Sequence, residues 1–311
     1  MEIPKTKEIA FYMRTPISIS FCISDNYAQH FAVVIASILI NNPVEDFVFH
    51  VVHHSVTPET EAKVCELESM YPRHRIVFHR IDERLFEKFP IPSTLAHITR
   101  EMYYRYILPE LLIDEERTIY SDVDVLCVKG GIRELFEMDL QGCPLAAILD
   151  ETNGAKRIRL GLSEGKYFCS GLLVMNLAML RAERSVHKLF ETTNVNANRL
   201  VFPDQDVINI VFDQRIVEVF PKWNCADRYS FFRKDVIQWH FQCQTQKPWC
   251  NLWKNITWIP YFNYLLKTPY RSRALSFLFG HLKGFFYFSY TKNQSKRYLV
   301  CGIRVWKRTR M

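Results

Sequence analysis

The chain has 311 residues, 48% hydrophobic and 23% charged, the balance of a globular protein and not of a disordered or fibrous one. No low-complexity tract, no repeat at solenoid periods and no clean apolar run of about 18 residues is present, which argues against a repeat array or a membrane-spanning chain. The formal net charge of +7 is unevenly divided: 27 basic face 33 acidic residues up to Asp235, and 13 Lys and Arg follow with no acid. An acidic body with a basic tail points to an anionic partner.

In chain order, "ISISFCIS" (17–24) alternates and predicts a strand. "NYAQHFAVVIASILINN" (26–42) has helical spacing and closes before a proline. "FVFHVVHHSV" (47–56) predicts a second strand. "TPETEAKVCELESMY" (57–71) opens on Thr, Pro and acids, a helix start. "RIVFHRI" (75–81) is a third strand, so the order argues for a parallel sheet with helices on both faces. "REMYYRYILPELL" (100–112) reads as helical up to Pro109. "PLAAILD" (144–150) and "KYFCSGLLVMNLAML" (166–180) are strand-like. "DQDVINIVF" (204–212) starts a helix with acids suited to its dipole, and "RIVEVF" (215–220) is a short strand. The nine cysteines are odd in number and form no C-x-x-C pair, which predicts a reduced, cytosolic protein. The first 24 residues lack the apolar core of a signal peptide.

Three stretches carry candidate chemistry. "TIYSDVDVLCV" (118–128) reads as a buried strand interrupted by Asp122 and Asp124. Carboxylates are costly to bury unless paired or bound to a metal, and two of them one residue apart project to one face of a strand. Beyond the carboxyl end of a strand in an α/β sheet, such a pair suits Mg²⁺ or Mn²⁺ and diphosphate oxygens. A solvated strand end accounts for the pair equally well on this motif alone. "SDNY" (24–27) lies where a doubly wound sheet places nucleotide contacts, and also where a helix takes its N-cap. "QWHFQCQTQKPW" (238–249) offers His240 as a metal ligand and Lys247 as a phosphate cation. A core histidine and a snorkelling surface lysine are the plain alternatives.

Taken together, "SDNY", "HITREMYYRYILPELL", "IYSDVDVLCV", "KYFCSGLLVMNL", "DQDVINIVF" and "HFQCQTQKPW" occur in the order seen in family 8 glycosyltransferases. The chain resembles the bacterial enzymes that add glucose or galactose to lipopolysaccharide core or lipooligosaccharide. The resemblance spans about residues 17 to 250. It implies a GT-A, Rossmann-like α/β fold with a mixed central sheet over residues 1–264. It also implies retaining transfer of a hexose from UDP-glucose or UDP-galactose to a lipid-linked saccharide. Mn²⁺, with Mg²⁺ as the alternative, would be held by Asp122, Asp124 and His240. Uracil and ribose contacts fall on Asp25, Asn26 and Tyr27. Val123 lies between the paired acids, Arg105 matches a basic residue near the diphosphate or sugar, and Lys247 matches the lysine that grips the diphosphate. Asp150, Asp204 and Gln205 match donor-sugar contacts. Gln205 occupies the family's β-face position, where an amide is a poor nucleophile and favours front-face attack; Asp204 is the carboxylate alternative.

The sequence departs from the family pattern at Cys169, where Asn is usual and a thiol donates hydrogen bonds weakly. It departs again at Cys243, which replaces a glycine, and in the His240–Lys247 spacing, one residue longer than usual. These departures keep open a degenerate member acting as a carbohydrate-binding or scaffold protein. A metal-dependent nucleotidyltransferase shares the paired acids but normally has a glycine- and lysine-rich loop that "SDNYAQHF" lacks. The tail (265–311) is aromatic and basic and carries no nucleic-acid recognition motif. It is expected to be helical and to hold the protein peripherally on the anionic inner face of the cytoplasmic membrane.

Overall fold

The computed structural model describes residues 14–92, 99–150, 152–162, 166–225, 234–241, 247–249 and 258–276, Phe279, and 288–292, 295–300 and 303–309, the last three by backbone alone. Strand β1 (Ile17–Cys22) follows from its alternation, but its serines are not solvated. Ser18 and Ser20 hydrogen-bond Thr118 at 3.0 and 2.8 Å, because β1 is central and covered on both faces.

A short 3₁₀ turn (Asp25–Tyr27) leads into helix α1 (Ala28–Asn41), apolar around most of its surface and largely buried. Strand β2 (Phe47–His53) precedes α2 (Pro58–Met70), which Thr57 caps by accepting the Thr60 N–H at 3.2 Å. After β3 (His74–Arg80), a 3₁₀ segment (Arg100–Ile107) runs into α3 (Leu108–Leu111). Pro109 lies in the first turn of α3, where its missing N–H is not needed, so it begins a helix instead of ending one.

The chain continues through β4 (Arg117–Ser121), β5 (Val125–Cys127), α4 (Ile132–Phe136), β6 (Leu145–Leu149) and α5 (Asn153–Leu160). Next come β7 (Phe168–Asn176), α6 (Leu177–Ala182), α7 (Ser185–Asn196) and α8 (Pro203–Val211). The apolar run 166–180 therefore splits into a strand and a helix, and Asn176 marks the break by accepting the Met179 N–H at 3.0 Å. Strands β8 (Ile216–Val219) and β9 (Gln238–His240) and helix α9 (Trp258–Leu265) close the body.

Seven strands form a mixed sheet ordered β3-β2-β1-β4-β7-β6-β8. β7 runs antiparallel to both β4 and β6, and the other pairs are parallel. This is the α/β mixed-sheet class the family resemblance implies, and the antiparallel β7 departs from the parallel sheet expected from the order of elements alone. One core packs α1, α2 and α9 against one face of the sheet, and a second packs the 3₁₀ segment, α3, α6, α7 and α8 against the other. Leu265, Tyr270 and Ala274 are buried in the first core, so the packed body runs past residue 264.

The tail differs from the helical expectation. Beyond a helical turn at 273–276, β10 (Phe288–Lys292), β11 (Ser295–Val300) and β12 (Ile303–Thr309) pair as an antiparallel meander. Its β-branched and aromatic residues, among them Val300, Ile303, Val305 and Trp306, suit a strand better than a helix.

Candidate active site

The apolar run 118–128 is two strands, not one. β4 ends at Ser121 and β5 begins at Val125, and Asp122–Asp124 is the turn between them, closed by the Val125 N–H donating to the Asp122 carbonyl at 3.3 Å. The acids therefore do not interrupt a buried strand; they sit at the carboxyl end of a central one, where α/β sheets place ligands. β5 leaves the main sheet and pairs antiparallel with β9, setting Val125 opposite His240. On the other side, the Asp122 N–H donates to the Gly171 carbonyl of β7 at 2.8 Å. Two sheets thus converge on one turn.

Asp122, Asp124 and His240 each bring a ligand atom within 4.8 Å of the others, the only such group among the described residues. Asp124 is buried, and its Oδ1, 3.4 Å from His240 Nε2, makes no hydrogen bond among the described residues; nor does His240 Nδ1. A buried carboxylate oxygen in that state is costly without a cation. Space for one depends on Gly171: a Cβ there would lie 2.4 Å from His240 Cε1 and 2.9 Å from Asp122 Oδ2. Carboxylate oxygens with an imidazole suit Mn²⁺ over the all-oxygen preference of Mg²⁺. The residues present fit a divalent metal.

The turn borders a cleft of about 640 Å³. Along one wall runs Arg105, buried, with its guanidinium 4.2 Å above the Tyr120 ring. It donates to the Ser170 carbonyl and to Asp122 Oδ1 (3.1 Å) and lies 3.3 Å from Asp204. Tyr120 donates its hydroxyl to the same Asp122 oxygen at 2.7 Å. Asp122 is thereby aimed from behind, leaving Oδ2 on the Gly171 side. Lys247 enters from the other wall, and its ammonium contacts Asp124 Oδ2.

Opposite the paired acids, α8 presents Asp204 and Gln205. Burial pushes the Asp204 carboxyl up against the opposing pull of Arg105, and Ser170 Oγ donates to it at 2.9 Å. Gln205 is fixed at both ends: Oε1 accepts the Ser170 N–H at 3.1 Å, and Nε2 donates to Asp150 Oδ2 at 3.2 Å. Asp150 also receives Lys156 at 2.8 Å and the Thr152 N–H and hydroxyl at 2.8 and 2.7 Å. Burial raises the Asp150 carboxyl, but the Lys156 and Thr152 hydrogen bonds outweigh it and hold it below its ordinary value.

Tyr27, Val123 and Cys169 line the same cleft, whereas Asp25 and Asn26 do not. Asp25 faces α2 instead, accepting the Thr57 N–H at 3.1 Å, a bond that lowers its pKa. Asn26 is exposed beside it. Cys169 is buried, and its sulfur lies 3.9 Å from Asn224 Nδ2. Cys243 and the rest of the lengthened His240–Lys247 loop, residues 242–246, lie outside the described residues. Sequence reasoning missed Tyr120, Lys156, Ser170 and Gly171. The last two stand inside the "KYFCSG" segment, and a glycine within a strand signals close approach by another group.

The sequence model of "Glycosyl transferase family 8" matches residues 18–252. The chain is 27% identical to general stress protein A of Bacillus subtilis over 81% of this chain and 93% of that protein. It is 26% identical to a lipopolysaccharide 1,2-glucosyltransferase of Escherichia coli over 83% and 80%. A lipopolysaccharide 1,3-galactosyltransferase of Salmonella typhimurium is 28% identical over 71% and 66%. The crystal structure of galactosyltransferase LgtC in complex with donor and acceptor sugar analogs superposes with a TM-score of 0.72 at 22% identity, covering 81% of this chain and 96% of that one. That likeness identifies the fold as GT-A. With a match over residues 18–252 of 311, the chain belongs to glycosyl transferase family 8.

Proposed function

We propose that this protein is a retaining hexosyltransferase that moves glucose or galactose from a UDP-sugar to a saccharide acceptor, of lipopolysaccharide-core or related lipid-linked type. The observation that carries the reading is the Asp122–Asp124–His240 group at the mouth of a cleft whose far wall holds Asp150 and Gln205. The relatives named as glucosyl- and galactosyltransferases support the donor and acceptor classes.

In this reading Asp122, Asp124 and His240 would hold Mn²⁺, which would supply Lewis-acid stabilisation of the charge developing on the leaving diphosphate. Arg105 and Tyr120 orient Asp122 through the hydrogen bonds described. Lys247 turns its ammonium to the diphosphate, a preorganised cation where negative charge grows. Tyr27 and Val123 line the cleft and would face the nucleoside. Asp150 and Gln205 accept and donate to the hexose hydroxyls, with Lys156 fixing Asp150.

Retention needs either a nucleophile or attack on the leaving-group face. Gln205 is an amide tied at both ends, and Asp204 is committed to Ser170 and Arg105. Both facts favour front-face attack, with the departing phosphate oxygen taking the acceptor's proton.

The test is UDP release and sugar transfer across a panel of UDP-sugars, with and without Mn²⁺. Release with UDP-glucose or UDP-galactose that requires Mn²⁺ is expected. Asp122→Asn with Asp124→Asn should cost roughly two or more orders of magnitude, as removal of a metal's charge stabilisation does. Release that survives both substitutions overturns the metal assignment. UDP binding without release from any donor favours a carbohydrate-binding or scaffold role, for which Cys169 is the motivating residue.

We also propose that residues 265–311 contact an anionic membrane surface peripherally. No helix among the described residues is long and apolar enough to span one. Leu266, Leu275 and Phe279 are exposed beside the exposed cations Lys267, Arg271 and Arg273, the pairing an anionic lipid interface favours. Removal of residues 281–311 together with Lys267→Glu, Arg271→Glu and Arg273→Glu should reduce co-sedimentation with anionic vesicles by well over tenfold, since each basic residue near the surface adds about 1 kcal/mol. Equal partitioning of the full and altered chains overturns it.

A further inference from the structure

His30 lies on α1, three residues past Tyr27, and touches three parts of the chain at once. Its ring stacks on the Trp249 indole with centroids 3.7 Å apart and planes at 23°. Its Nδ1 lies 2.6 Å from the Tyr261 hydroxyl of α9, to which Gln29 Nε2 also donates at 3.3 Å. Its edge meets the Tyr27 ring at 5.6 Å. Trp249 completes the cluster against Tyr261 at 5.4 Å. A second bond braces α9 on α1: Asn41 Nδ2 donates to the Tyr264 hydroxyl at 2.7 Å.

Trp249 stands two residues after Lys247, with Pro248 between them. Proline fixes one backbone torsion, so the backbone link from Trp249 to Lys247 is short and restricted. The ammonium lies 5.9 Å from the indole centroid. A lysine on a loop is a point charge on a flexible four-carbon stem, and it acts as a preorganised cation only when its backbone is anchored to rigid elements. Here α1 and α9 are those elements. Burial, aided by the cations of Lys247 and Arg273, lowers the His30 pKa to about 3, so a neutral imidazole faces the indole and adds no charge beside the ammonium.

We propose that His30 is a positioning residue that clamps Trp249 and thereby fixes Lys247 at the diphosphate end of the cleft, with Tyr261 of α9 as its brace. The proposal rests on the reading of Lys247 as the diphosphate ligand. It assigns α9 to the catalytic body and separates it from any membrane role of the chain that follows.

The experiment is calorimetric titration of the full-length protein, in Mn²⁺, with UDP and with uridine. Lys247→Ala should weaken UDP and spare uridine. His30→Ala should weaken UDP about tenfold, the scale of one charge-assisted hydrogen bond, and also spare uridine. In the Lys247→Ala background, His30→Ala should add nothing further. His30→Phe, which keeps the stack and loses the Tyr261 bond, and Tyr261→Phe should each fall between wild type and His30→Ala. Unchanged UDP affinity in Lys247→Ala overturns the diphosphate reading and this proposal with it. A Lys247 effect accompanied by unchanged UDP affinity in His30→Ala overturns the clamp alone. So do equal losses for UDP and uridine, or an additive double variant, since those mark general destabilisation.

Discussion

Gly171 sets how closely Asp122, Asp124 and His240 can gather. It pairs with Asp122 across β4 and β7, and His240 folds over it from the second sheet. Any Cβ at this position meets His240 Cε1 at 2.4 Å, well inside contact distance. His240 is buried on a strand and cannot simply swing outward. Gly171→Ala should therefore push the imidazole off the acids, lowering Mn²⁺ affinity by about 10- to 100-fold, the range seen when residues that orient metal ligands are lost. The misfit should also cost about 1–3 kcal/mol of stability. Manganese titration followed by electron paramagnetic resonance reads the first, and denaturant unfolding the second. Wild-type metal affinity in the variant would sink this account of Gly171.

At the scale of the element, α8 depends on one buried carboxylate in its first turn. Asp206 Oδ2 accepts the N–H groups of Val201 and Phe202 at 2.8 and 3.1 Å, satisfying backbone donors at the helix entrance. Its Oδ1 accepts Arg159 of α5 and the Tyr167 hydroxyl, both at 2.6 Å. This one side chain fixes the helix that carries Asp204 and Gln205 and ties it to the helix that carries Lys156. Asp206→Ala removes the buried acceptor of two backbone donors and the Tyr167 hydroxyl and frees the exposed Arg159 to solvent, so a loss of about 1–3 kcal/mol is expected, read as a lower urea midpoint with turnover reduced in parallel. A midpoint within error of wild type would contradict that role.

The sequence made α8 and its acidic start legible, because acids at a helix N-terminus follow from local physics. Local physics did not say which acid supports the fold and which faces the cleft, because helix rotation is set by packing on β7; only the family resemblance singled out Asp204. The paired acids show the same division. Their presence was plain, but the turn that holds them was hidden in an apolar run, since β5 leaves the main sheet only to meet β9 far along the chain. The hydrogen bond between Asp25 and the Thr57 N–H was not legible either, because it crosses a strand and a loop. Lys156 had no signal at all: its role comes only from its contact with Asp150.

At the scale of the whole molecule, four imidazoles among the described residues are held neutral by the way the sheet and helices close over them. Burial is the leading cause in each, lowering His30 to about 3 and His79 to about 4, and lowering His53 and His74 as well. Three of them stand on neighbouring strands β2 and β3. His79 adds a local reason: its Nε2 lies 3.0 Å from His50 Nδ1, so one ring must present a bare nitrogen to the other. Protonating both would set two donors face to face. An unfolded histidine takes up its proton near pH 6.5. The folded His79 does so only near 4 and His30 only near 3, so between those limits the unfolded chain binds more protons. Stability then rises with pH across that window and falls as pH drops through it. Full stability is expected above about pH 6.5, with a progressive loss on acidification to about pH 5. The Asp150 carboxyl is held below its ordinary value and loses its contribution only at lower pH, whereas the raised Asp204 carboxyl holds its proton in the fold and offsets part of the histidine effect on acidification. Thermal midpoints measured from pH 8 to pH 5 should decline below about 6.5, and His79→Gln should flatten part of the slope by removing one proton uptake. A midpoint constant over the whole range would show that the imidazoles titrate alike in the folded and unfolded chain.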